Sequence, residues 1–79
     1  MRFSVEQAKA VAELLATDSR FGMFMEALGD YGEVLIQRVL YEDEPYAAAA
    51  YRGMARAVTE ILQAVDGARK TVEQAQEKT

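Results

Sequence analysis

Three consecutive acids, Glu42, Asp43 and Glu44, are the densest set of metal-capable side chains in this chain of 79 residues. Adjacent carboxylates can bind a divalent cation, but their spacing matches no calcium loop. Directly ahead of Pro45 they suit a plainer role, negative charge at the positive end of a helix. Arg52 and Arg56 lie one helical turn apart and could clamp a phosphate. Glu60, a turn further on, offers Arg56 an ion-pair partner on a solvated face instead. The chain has no histidine and no cysteine. Those absences remove the usual general base, the commonest metal ligand, the thiol nucleophile and any disulfide. Serine and threonine hydroxyls therefore lack a histidine to activate them. Thirteen acids leave many carboxylate pairs conceivable. No glycine-rich phosphate loop and no metal-spaced ligand set accompanies them. The expectation is a protein that is not an enzyme and holds no cofactor or metal.

Composition narrows the function further. The net charge is -4, which argues against nucleic-acid binding, since that needs clustered Lys and Arg. Apolar residues make up 51% of the chain, too many for disorder and enough for a core. The first residues, Met1 to Ser4, give way to charge without a signal-peptide core. No apolar run approaches a membrane span. A single soluble, cytoplasmic domain over residues 1–79 is expected. At this size one core contributes only a few kcal/mol, so small domains often need a staple or a partner.

Helical spacing organises the whole chain. Ser4 and Gln7 form a capping box ahead of a first helix at about 5–16. Ala8, Val11, Leu14 and Leu15 share its apolar face. Thr17 to Arg20 connects it to a second helix at about 20–41, with Asp18 or Ser19 as the cap. Phe21, Phe24, Met25, Leu28, Tyr31, Leu35, Ile36 and Val39 form a broad apolar stripe there. Gly22, Gly29 and Gly32 weaken the helix, and a break at Gly29–Gly32 is possible in principle. The stripe keeps its phase across them, which favours one continuous helix. Pro45 suits the first position of a third helix, at about 45–76. Ala47, Tyr51, Met54, Val58, Ile61, Val65, Ala68, Val72 and Ala75 give it a heptad seam. This helix is longer than the others. Residues 67–79 are expected to project or fray, with Asp66-Gly67 as the point of change. The fold class is all-α, a helical hairpin or three-helix bundle with a long C-terminal helix.

Two surfaces exceed what one core explains. Tyr46, Ala50, Gly53, Ala57, Ala64 and Ala68 form a second stripe on the third helix. Either another helix of the chain packs there, or a second copy does. Gly53 is costly in a helix interior, which suggests a close approach. Ala50, Gly53, Ala57, Ala64 and Ala68 are therefore the expected self-association residues of a homo-oligomer. The second helix carries a minor stripe of Met23, Ala27, Val34 and Tyr41, rimmed by Glu26, Asp30 and Glu33. Unless it touches both neighbouring helices, Met23, Glu26, Asp30, Val34 and Tyr41 form a protein-partner site.

The stretches "ELLATDSRFGMFMEAL" and "AYRGMARAVTEILQAV", joined through an acidic turn, resemble small all-helical proteins of tailed bacteriophages encoded among head and packaging genes. The resemblance runs from about Glu13 to Val65. It rests on the pair Leu14-Leu15, on Phe21, on Arg52-Gly53 and on Ile61-Leu62. A glutamine expected just before the glycine is absent, and Arg52 stands there instead. The resemblance implies no enzymatic activity and no cofactor. It implies a role in virion assembly or in binding a host or phage protein, in the host cytoplasm or on the virion. The leading expectation is a non-enzymatic protein-interaction or assembly module that self-associates through its long third helix. The alternative is an inhibitor that binds a host machine, such as RNA polymerase or a CRISPR complex, through an acidic and apolar helical face. Neither reading involves nucleic acid or membrane.

Overall fold

The computed structural model describes residues 1–77, with side chains as far as residue 74. Its elements are α1 (Val5–Thr17), α2 (Ser19–Tyr41) and α3 (Pro45–Glu77), with no strand among the described residues. Each boundary has a chemical cause. Ser4 Oγ accepts the Gln7 amide at 3.1 Å, and Gln7 Oε1 accepts the Ser4 amide at 2.9 Å. Two amides left free by the first turn are thus satisfied, as the capping box predicts.

The join between α1 and α2 is tighter than the expected four-residue connection. Asp18 alone leaves the helical region, at φ -121° and ψ 105°. Its amide donates to Leu14 O at 2.9 Å and closes α1. Its carboxylate accepts the Arg20 amide at 2.9 Å and opens α2. The Arg20 guanidinium folds back onto the same carboxylate at 3.1 Å. Two of the three acids work the same way before α3. Glu42 Oε1 accepts the Glu44 amide at 3.1 Å, and Glu44 Oε2 accepts the Ala47 amide at 2.6 Å. These carboxylates satisfy orphan amides at a helix start. Among the described residues no metal-ligating cluster forms.

The 33 residues of α3 span about 50 Å at the α-helical rise, and the molecule is 53 Å in its longest dimension. That helix is the spine. Along most of its length it carries α2, joined by the short turn at 42–44 and hence running antiparallel. The shorter α1 packs chiefly on α3 and only lightly on α2. The α2 seam is Phe21, Met25, Leu28, Gly32, Leu35 and Val39, alternating by four and three. On α3 the facing line from Ala47 to Val72 follows the expected heptad, with Val58, Val65 and Ala68 buried. The seams come close at Gly32. A Cβ there would lie 3.1 Å from Val58 Cγ1. Arg38 of α2 adds a cation–π contact, 5.6 Å from the Tyr51 ring centre.

Several expectations need correction. Helix α2 is continuous through Gly29–Gly32, but its broad stripe is not one core face. Phe24, Tyr31 and Ile36 are exposed, as is Leu14 of α1 and Met54 of α3. The reason is geometric. A wide stripe needs two neighbours, and α2 has one full-length neighbour and only light contact with α1. Asp66-Gly67 does not end the engaged part of α3. Ala68 beyond it is buried, and the Thr71 hydroxyl donates to Gly67 O at 2.9 Å in unbroken helix. Asp66 pairs with Lys70 at 3.0 Å and Arg69 at 3.1 Å. The expected Arg56–Glu60 pair is not among the ion pairs of the described residues. Ala75, expected on the seam, lies outside the described side chains.

Candidate interaction surface

The core is small for so apolar a chain. Leu35 is the one large side chain among the described residues that is fully buried, joined by Ala8, Val58, Val65 and Ala68. A compact monomer of this mass exposes about 4,800 Å², whereas this chain exposes 6233 Å². Its radius of gyration is 15.5 Å, against about 12 Å for a compact domain of this length. Met23, Phe24, Tyr31, Val34, Ile36, Leu40 and Tyr41, all on α2, are among the exposed large apolar side chains.

The outer side of α2 repeats the logic of its inner side. Phe24, Ala27, Tyr31, Val34, Arg38 and Tyr41 alternate by three and four. At about 100° per residue they form a second seam roughly 110° around the helix from the first. All six are exposed. Met23 borders this seam and is 68% exposed, while Tyr41 at its end is 83% exposed. On the far edge stand Glu26, Asp30 and Glu33, also exposed. The expected partner residues Met23, Glu26, Asp30, Val34 and Tyr41 are thus brought to one open side of α2. Phe24 and Tyr31 belong to this surface and were expected in the core. The signal that marks them is a second run of three-four spacing beside the first.

The small-residue stripe of α3 is divided. Ala50, Gly53 and Ala57 are exposed, and nothing lies within 4 Å of a Cβ built on Gly53. No close approach within the chain therefore explains that glycine. Ala64 is half-buried and Ala68 buried. The first residues of the chain pass beside this lower part, where Ser4, Val5 and Ala8 line an open groove of about 500 Å³ with Glu60, Ala64 and Ala68. The five expected self-association residues do not form one free face, because Ala68 is already covered within the chain.

Two carboxylates away from these surfaces are held in local pairs. The Asp18 carboxyl is held below its ordinary range by hydrogen bonds from the Arg20 side chain and then its amide. Asp66 is likewise lowered, first by the hydrogen bond and charge of Lys70 and then by Arg69. No helix among the described residues is long and apolar enough to cross a membrane. Comparison with known protein families, with curated proteins and with solved structures finds no match to this chain.

Proposed function

We propose that this protein is a non-enzymatic helical interaction module that works as a homo-oligomer. One observation carries the reading: α2 presents an uncovered seam of large apolar side chains, Phe24, Tyr31, Val34 and Tyr41, along most of its length. Apolar side chains at regular helical spacing are the pattern by which one helix packs on another. A contiguous strip of this kind on a soluble surface marks an interaction site. The acidic rim of Glu26, Asp30 and Glu33 keeps the free chain soluble and limits which helices fit. The resemblance to small phage proteins supplies a setting, virion assembly, for a module of this kind.

Size-exclusion chromatography at low and high salt tests the reading. Apolar helix packing predicts a particle larger than one chain at both salt concentrations, because screening acts on charges. A particle of one chain at every concentration contradicts self-association. Capture of a basic protein that fails in high salt would favour an inhibitor acting through the acidic rim.

A further inference from the structure

We infer that the outer seam of α2 is covered by α2 of a second copy, paired antiparallel about a twofold axis near Gly32 and Glu33; this rests on the self-association reading above. The seam is complementary to itself in that direction. An antiparallel pairing puts Phe24 opposite Tyr41, Ala27 opposite Arg38 and Tyr31 opposite Val34, each pair occurring twice. Small faces large in the layer of Ala27, and aromatic rings meet at both ends.

The two arginines favour the same direction, and it also sets the acidic rims of Glu26, Asp30 and Glu33 from both copies along one edge of the pair. Arg20, whose side chain is 88% exposed beyond its bond to Asp18, comes level with the acidic turn of Glu42, Asp43 and Glu44 in the second copy. Arg38 comes within a helical turn of Asp30 across the pair. A parallel arrangement would instead place Arg20 on Arg20 and Arg38 on Arg38, and like charges directly opposed weaken a helix pair. Twofold pairing also closes the assembly, since the same patch serves both copies.

Area is sufficient. Met23, Phe24, Tyr31, Val34 and Tyr41 together expose about 600 Å² per copy, taking roughly 150–250 Å² for each large side chain when free. Covering these side chains completely in both copies would bury at most about 1,200 Å², the lower end of the range for a stable interface. Ala27 and the stems of Arg20 and Arg38 add to it. The small stripe of α3 offers less, because its lower end is already covered by the start of the chain.

Sedimentation velocity on the full chain and two variants tests this. Val34→Asp places two unpaired carboxylates at the centre of the pair, so the dimer dissociation constant should rise more than about 100-fold. Val34 is exposed in the single chain, so circular dichroism should show unchanged helix content. Gly53→Leu, on α3, should leave the dimer intact. A Val34→Asp chain that still dimerises, or a Gly53→Leu chain that does not, overturns the α2 pairing while self-association stands. A native chain that stays monomeric overturns both. The direction has its own test, because the chain contains no cysteine. Mixed Phe24→Cys and Tyr41→Cys chains should oxidise chiefly to the mixed disulfide. Predominant Phe24→Cys homodimers would refute the antiparallel arrangement.

Discussion

Gly32 should resist a substitution that the other glycines welcome. All five glycines lie within helices and none has positive φ. Replacing a helix-interior glycine by alanine gains up to about 1 kcal/mol in backbone terms. At Gly22, Gly29, Gly53 and Gly67 the new methyl meets nothing within 4 Å, so that gain should appear. At Gly32 the methyl would stand 3.1 Å from Val58 Cγ1, inside ordinary van der Waals contact. Val58 is only 7% exposed and has little room to yield. Overpacking of this kind costs about 1–3 kcal/mol, which meets or exceeds the backbone gain. Gly29→Ala, one turn away in the same helix, isolates the packing part. Thermal melts of the two variants should differ by about 1–3 kcal/mol, with Gly29→Ala above the native chain and Gly32→Ala at or below it. For a domain this size each kcal/mol moves Tm by about 4–8 °C. Adding Val58→Ala to Gly32→Ala should recover part of the loss through coupling. If Gly32→Ala stabilises as much as Gly29→Ala, the close contact of α2 with α3 is wrong.

Leu35→Ala should cost about 2–5 kcal/mol and leave little folded chain, since Leu35 is the fully buried large side chain; a small change in the urea midpoint would contradict that. Asp18→Asn should keep the helix cap but lose the charge on Arg20. The Asp18 carboxyl titrates lower in the folded chain than in the unfolded one, so its contribution is present above about pH 4 and fades as pH falls through the folded value. Native and Asp18→Asn melting temperatures should therefore differ at neutral pH and converge in acid; a constant gap would show that the carboxylate's ionisation is irrelevant. Truncation after Gly67 should destabilise far more than truncation after Gln74, because Ala68 is buried and the start of the chain rests there. Equal melting temperatures would show that α1 does not depend on that part of α3.

The helices were legible because their ends are local chemistry. The Ser4–Gln7 box, Asp18 and the acids before Pro45 each act within a few residues of themselves. The α3 seam was legible because α3 is the helix on which both others pack, so its heptad repeats along most of its length. The outer face of α2 was harder. Its inner and outer seams are both apolar and interleave, so the spacing alone merges them into one broad stripe. Phe24 and Tyr31 separate from Met25 and Leu28 only once α1 is seen to be too short and too far round α3 to cover them. Gly32 was expected only to weaken α2 and Gly53 to mark a close approach; instead the seam glycine on α2 meets Val58 while the α3 glycine faces open space.

Burial of α2's outer seam against a second copy in solution shows in the particle mass, read by multi-angle light scattering over a hundredfold range of concentration. The expected mass is twice that of the 8.8 kDa chain at high concentration, reduced to one chain by Val34→Asp. A mass of one chain across the whole range would contradict it.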